Sequence, residues 1–367
     1  MRVDRIRCYR QSQPFAAGTY ATSSGSATGF DSLIVAVDTE EGVTGWGEMA
    51  PLGAFYDSAF SAGARAAADV LSEAVLGVDP RQHGLVTARL DRALRGHPYA
   101  KSAFDMACWD ASAQATAQPL CEALGGRFGE RVALYRSIAP GPAEEMATMA
   151  SQYVTAGYRR LQVKVGGDPL IDADRLAAVR DAVGADVVLF ADANGGWTTG
   201  RALTFLDATR SHSYTLEQPC ATLEECAAVR NHCPHPLVLD ESIDSVRALS
   251  HAASQRVCDG VTVKIARVGG VTRAARIRDL AVELGLEVTV EDTGGASIDT
   301  AAMLHLSLST PEAARLHTVD FNAWVTVDNA DGIPPTTAGE LAAPDGSGLG
   351  IVVREAALGN PFHVATA

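Results

Sequence analysis

Charged residues recur at the ends of short apolar runs in the second half of this chain, and that recurrence restricts its fold more than any other feature. Lys164, Asp192, Glu217, Asp240 and Lys264 follow one another at steps of 28, 25, 23 and 24 residues. Each closes a run with the alternation or β-branching of a strand, as in "LQVKV", "VVLFADAN" and "GVTVKIA". From about residue 131 there are eight such runs: "VALYRSI", those three, "SYTLEQP", "PLVLDES", "LEVTVED" and "LHTVDFN". Helical patterns separate most of them. "AEEMATMASQYVTAGY" stops at Gly157, and the helix carrying Leu176, Val179 and Val183 on one face stops at Gly184. Strand and helix alternating in this way predict a parallel sheet, and eight units predict a closed (β/α)8-type barrel. The strand C-termini of a barrel converge on one mouth, so Lys164, Asp192, Glu217, Asp240, Lys264, Glu291 or Asp292, and Asp320 are expected to share it.

The first 125 residues have a different pattern. "IRCYRQ" and "DSLIVAVDTEEGVTGWGE" predict an antiparallel meander turning at "TEEG", followed by helices near 58–77 and 99–118. In the second helix Ala103, Ala107, Ala111 and Ala115 form a small-residue face for close packing, and Asp105, Trp109 and Asp110 are assigned structural roles. Residues 16–30 have a loop composition suited to a lid. Thr272 is expected to cap the helix carrying Ile277, Leu280 and Leu284. The Gly/Pro-rich segment 323–367 is expected to return to the N-terminal domain. The resulting division is 1–125, 126–322 and 323–367.

With 367 residues, 47% of them hydrophobic, the chain supports a large core and two domains. A net charge of −14 argues against nucleic acid as a partner. Seven cysteines, an odd number with no CxxC, and an N-terminus without an apolar run point to the cytoplasm. No stretch approaches the ~20 apolar residues of a membrane span. "NHCPHP" fits no zinc spacing and is assigned to a connector; His305 and His317 are given no role.

Asp192, Glu217 and Asp240 lie on successive strands, and oxygen-only ligation selects a hard cation, Mg2+ with Mn2+ as a substitute. Lys164 and Lys264 are expected to flank it. At ~7 Å, mutual repulsion of roughly 2 kcal/mol would leave one amine neutral as base and the other charged as acid. A metal-bound carboxylate between two such groups suits removal of its α-proton, leading to epimerisation or dehydration.

"AKSAFDMACWD" with "PLCEALGG", then "QVKVG", "FADANGGW", "LEQP", "LDES", "VKIARVGG" and "VEDTGG" resemble the muconate lactonizing enzyme subgroup of the enolase superfamily over nearly the whole chain. The resemblance implies a modified TIM barrel, (β/α)7β, under an α+β capping domain. It implies Mg2+ on Asp192, Glu217 and Asp240, and Lys164 and Lys264 as the acid/base pair. Asn194 is expected near the substrate carboxylate, with Glu241 and Asp292 behind the ligands. Gln162 replaces the first lysine of the subgroup's Lys-x-Lys, which removes one cation beside Lys164 and favours a more basic pH optimum. Dipeptide epimerases of the subgroup carry Asp-x-Asp on the eighth strand; here Asp320 is followed by Asn322. One acid suits a substrate amine smaller than a dipeptide, with Tyr20, Phe55, Tyr56 and Trp324 as candidate pocket walls. The implied activity is a dehydratase or 2-epimerase of a cyclic amino acid such as cis-3-hydroxy-L-proline, acting on a small amino-acid carboxylate as a homo-oligomer. The alternatives are a dipeptide or N-acylamino acid epimerase, a muconate-type cycloisomerase, and a catalytically silent barrel that binds an amino acid.

Overall fold

The computed structural model describes residues 1–23 and 25–367. Its N-terminal part is built on β1 (Val3–Pro14), which pairs antiparallel with β4 (Gly29–Thr39) and, through it, with β5 (Thr44–Met49). The β4–β5 turn falls at "TEEG" as expected. Between β1 and β4 the segment 16–30 is a small hairpin, β2 (Tyr20–Ala21) and β3 (Ser26–Ala27), where composition alone suggested an irregular loop. Residue 24 lies outside the described residues. Helices α1 (Ser61–Ala66), α2 (Ala68–Val75), α3 (His83–Ala93) and α4 (Pro98–Ala115) follow. The α3 helix was not anticipated. Its buried face is only Val86, Thr87 and Leu90, too sparse a signal to stand out in sequence.

The alanine face of α4 lies directly on β5. A Cβ added at Gly47 would stand 2.0 Å from Ala103 O, and one at Gly45 would stand 2.1 Å from Ala107 O. Backbone meets backbone here, which only glycine facing alanine permits. Gly47→Ala is therefore expected to destabilise the protein by about 3 kcal/mol or more, read as a fall in the urea midpoint. Asp110 holds the same junction by accepting from Trp46 N and Leu349 N, each at 2.8 Å.

After α5 (Leu120–Ala123) and β6 (Val132–Ala133) the barrel begins. Its strands are β7 (Tyr135–Ile138), β8 (Arg160–Lys164), β9 (Val188–Asp192), β10 (Thr215–Glu217), β11 (Leu237–Leu239), β12 (Gly260–Lys264) and β13 (Glu287–Glu291). They form one parallel sheet in sequence order. The eighth run, "LHTVDFN", forms no ladder of its own among the described residues. Its preceding turn and first residues bridge the two edges: Leu316 N donates to Val288 O at 2.9 Å, and Tyr135 N donates to Thr318 O at 3.1 Å. Those contacts close the ring.

The intervening helices are α6 (Ala143–Thr155), α7 (Pro169–Val183), α8 (Thr199–Ala208), α9 (Leu223–Arg230), α10 (Val246–Ser254), α11 (Ile265–Val268), α12 (Val271–Glu283) and α13 (Ser297–Leu308). Their ends are set by local chemistry. Asp168 caps α7 by accepting from Leu170 N and Ile171 N, Thr222 and Glu225 form a capping box on α9, and Gly184 ends α7 at φ +76°. Thr272 caps nothing. Gly270 precedes α12, and Thr272 instead joins Asp105, at 2.7 Å, to Trp109 Nε1, at 2.8 Å, across the interface with α4. The C-terminal strand His363–Thr366 pairs antiparallel with β1. Among the described residues no helix is long and apolar enough to cross a membrane.

Candidate active site

Parallel register places the charged strand ends beside one another. Lys164 is level with Asp192, Asp192 with Glu217, and Lys264 with Glu291. Asp240 follows β11 directly, its backbone N–H donating to Gln218 Oε1 at 2.9 Å. All five residues of the predicted set are buried. The two lysines stand at opposite ends of the acid row. Lys164 Nζ is 2.5 Å from Asp192 Oδ2, and Lys264 Nζ is 3.2 Å from Asp240 Oδ2 while also pairing with Glu291. Glu217 sits between them and accepts from Gln162 Nε2 at 2.9 Å and Thr262 Oγ1 at 3.0 Å. Gln162, in the position of the missing lysine, thus holds a neighbouring acid.

The electrostatics follow from crowding like charges in an apolar wall. Burial, then repulsion from Asp192 and Asp240, pushes Glu217 up to about 8. Burial would also raise Asp240, but Arg267 and Lys264 outweigh it and hold that carboxyl down to about 2. Burial opposes the charge on Lys164, yet Asp192 dominates and keeps its ammonium above the ordinary lysine range. For Lys164 this departs from the expectation of an amine made neutral by its fellow lysine, because Asp192 is its partner and favours the charge.

The acids are near enough to repel but do not surround one point. Among the described residues no three His, Cys, Asp or Glu side chains stand close enough together to hold a metal ion. The reason is visible in the contacts, since Lys164, Lys264 and Arg267 lie on oxygens of Asp192 and Asp240. The donor set itself suits a hard dication: three buried carboxylates, one with a strongly raised affinity for protons, and no sulfur or imidazole.

The remaining predicted residues divide into two groups. Tyr20, Tyr56 and Trp324 line the cavity that Lys164, Asp192, Asp240 and Lys264 also line. The Tyr56 hydroxyl donates to Asp240 Oδ2 at 3.0 Å, and the Tyr20 and Trp324 rings meet edge-to-face at 5.0 Å. Asn194 has φ +46°, which points its backbone N–H at Asp192 Oδ1 (2.9 Å), while its side chain donates to Glu241 Oε1 at 3.0 Å. Glu241 is pushed up to about 7 by burial and then by Asp240 and Asp192. Asp292 also borders the cavity, but its carboxylate accepts from Ala266 N and Thr293 N. Glu291, not Asp292, touches Lys264. Asp320 is not among the cavity-lining residues. It forms a two-point ion pair with Arg136, at 2.5 and 3.0 Å, so the expected receptor for a substrate amine already has a cation.

Sequence reasoning passed over Arg267, Tyr135 and Arg136. Arg267 lies three residues beyond Lys264, and the single turn of α11 brings it back over Asp240 at 2.5 Å. Tyr135 donates to Glu291 Oε2 at 2.6 Å, joining that acid to the first barrel strand. The inner cavity is about 30 Å3, room for about one water. Tyr20 and Trp324 divide it from an outer cavity of about 280 Å3. The β2–β3 hairpin lies over the mouth, tied down by Ser23 Oγ on Ala193 O at 3.0 Å. A ring-sized substrate therefore requires this wall to move.

Two family models match the chain. Residues 8–125 match the mandelate racemase/muconate lactonizing enzyme N-terminal domain, and residues 145–357 match the enolase C-terminal domain-like family. The chain belongs to the mandelate racemase/muconate lactonizing enzyme family of the enolase superfamily. Family relatives match along the full length. A cis-3-hydroxy-L-proline dehydratase from Roseibium aggregatum is 40% identical over 98% of this chain and 99% of its own. A hydrophobic dipeptide epimerase from Enterococcus faecalis is 28% identical over 91% of this chain and 95% of its own. A solved enolase-superfamily structure from Roseovarius nubinhibens ISM, complexed with magnesium, superposes with a TM-score of 0.94 at 36% identity and covers both chains completely. Family members of this kind are dehydratases, racemases and epimerases, and this protein is an enzyme of that group.

Proposed function

We propose that the protein is a Mg2+-dependent dehydratase of cis-3-hydroxy-L-proline, with Mn2+ able to substitute. One observation carries the reading: two buried lysines stand at opposite ends of three buried carboxylates at a barrel mouth, in a chain 40% identical from end to end to an enzyme of that activity. Asp192, Glu217 and Asp240 would hold the cation. Bound there, Mg2+ supplies a site for the substrate carboxylate and stabilises the negative charge that grows on it as the α-proton leaves. Lys164 accepts that proton. Its pairing with Asp192 now holds it charged, so it becomes a base only when the Asp192 carboxylate is engaged elsewhere. Lys264, between Asp240 and Glu291, donates a proton to the departing β-hydroxyl, and the C–O bond breaks as water leaves. Tyr135 steadies Glu291 behind it. Tyr20 and Trp324 close the pocket and exclude bulk water.

The alternative, epimerisation of a dipeptide, needs the same two lysines, with Lys264 returning the proton to the α-carbon. The Arg136–Asp320 pair, which already engages the acid that would meet a dipeptide's ammonium, supports the smaller substrate. Incubation with Mg2+ in deuterated water against cis-3-hydroxy-L-proline, dipeptides and N-acyl amino acids separates them by mass spectrometry. Loss of one water from the hydroxyproline alone is expected. Deuterium uptake confined to dipeptides would replace this assignment with the alternative.

A further inference from the structure

Two consecutive residues of the N-terminal part reach the last acid of the row by different routes. The turn in which Tyr56 N donates to Gly53 O, at 3.1 Å, presents Tyr56 and Asp57 to the barrel. Tyr56 donates directly to Asp240 Oδ2 at 3.0 Å. Asp57 accepts from Arg267 Nε at 3.0 and 3.2 Å, and Arg267 in turn places Nη1 2.5 Å from Asp240 Oδ1 and 3.1 Å from the Asp240 carbonyl oxygen. Both carboxylate oxygens of Asp240 are thus gripped by groups that residues 56 and 57 hold in place. The Tyr56 ring fills the space between the cations, 5.6 Å from Lys264 Nζ and 5.9 Å from Arg267 Cζ. The Arg267 side chain is 4% exposed and that of Asp57 is 17% exposed, so water screens this bridge weakly.

The sign of the effect follows from the charges. Arg267 alone would place an uncompensated positive charge on Asp240 and oppose a dication there. Asp57 balances that charge and draws the guanidinium toward itself, leaving Asp240 more of its own charge and a fixed orientation.

We propose that Asp57 is a positioning residue for cation binding. Acting through Arg267, it sets the orientation and effective charge of Asp240, so that seating of the 53–57 turn on the barrel and binding of a divalent cation favour each other. The proposal rests on Asp240 being a cation ligand together with Asp192 and Glu217. Linkage makes the coupling reciprocal: a turn that strengthens cation binding is itself held more firmly when the cation binds.

The test is Mg2+ binding by calorimetry and Mn2+ binding by electron paramagnetic resonance, without substrate, on the wild-type protein, Asp57→Asn, Arg267→Gln and the double variant. Asp57→Asn is expected to raise Kd by roughly tenfold. In the Arg267→Gln background the same change is expected to move Kd less than about twofold, because its only route to Asp240 is gone. Hydrogen exchange gives a second readout: Mg2+ slows exchange over residues 53–57 in the wild type, and less so in Asp57→Asn. Wild-type affinity in Asp57→Asn overturns the proposal, as does a loss that persists undiminished in the double variant. Should Asp57→Asn fail to fold, Arg267→Gln alone must still reduce the Mg2+-dependent protection of residues 53–57 to the part Tyr56 carries through its own bond to Asp240, and protection undiminished from wild type overturns the proposal. A wild-type protein that binds neither ion removes the metal reading and this proposal with it, whereas binding without Asp57 dependence removes only the proposal.

Discussion

Replacing either lysine should reduce turnover of cis-3-hydroxy-L-proline by about 10³-fold or more, and the two variants should fail differently. General acid–base groups contribute factors of about 10² to 10⁴, and here the two lysines stand at opposite ends of the acid row, so neither is placed to do the other's work. Lys164→Ala is expected to abolish both exchange of the α-hydrogen with deuterated solvent and loss of water, since both begin with proton removal. Lys264→Ala is expected to abolish loss of water while retaining α-exchange, because the departing hydroxyl then has no donor. Proton NMR in deuterated water reads both on one sample. Truncating Lys164 also leaves Asp192 buried without its cation, a change that costs a few kcal/mol when a buried pair is broken. The variants are therefore compared by thermal unfolding with Mg2+ present, where a bound ion would replace the missing charge. Turnover within tenfold of wild type in both variants would take the lysines out of the reaction. The reverse pattern of exchange would keep the pair and swap the roles.

That assignment draws on features with unequal visibility in the sequence. The row Lys164, Asp192, Glu217, Asp240, Lys264 was legible because a barrel turns a one-dimensional interval into spatial adjacency, and the register pairs Lys164–Asp192 and Asp192–Glu217 show it at residue level. The alanine stripe of α4 was legible for a similar reason, a period matched to a helix face. Interactions that return across the chain had no such trace. Asp320 was expected to meet a substrate amine, but Arg136, 184 residues earlier, supplies its cation. Thr272 looked like a helix cap because a threonine opens the helical pattern there. Asp105, 167 residues away, claims its hydroxyl instead. Glu291 and Asp292 adjoin at the end of β13, and alternation alone does not say which turns to Lys264; pairing of β12 with β13 settles it for Glu291. Arg267 could have been found by asking what a residue three positions beyond a catalytic candidate does if the strand passes straight into a helical turn, which α11 does.

Removing divalent cations with a chelator should reduce activity to background, with restoration by Mg2+, and the pH dependence of that binding provides the sharper check. Glu217 has its carboxyl pushed up from an ordinary value of 4.5 to about 8 by burial and by its acidic neighbours, and Glu241 is raised in the same sense to about 7. An acid whose affinity for protons is raised by folding binds more protons in the native than in the unfolded state. The contribution of Glu217 to the stability of the cation-free protein therefore falls as pH rises from about 4.5 to about 8. Asp240 works in the opposite direction, but its window lies between about 2 and its ordinary value of 3.8, below this range. A cation on Glu217 must displace its proton, so Mg2+ affinity should climb by at most about tenfold per pH unit and level off near pH 8. The same ion neutralises the repulsion that raised the carboxyl. With saturating Mg2+ that contribution to the pH dependence of the melting temperature between pH 5 and 8 should accordingly shrink. Equal slopes with and without Mg2+ would mean that the ion does not share space with Glu217, and the three acids would then need a different explanation.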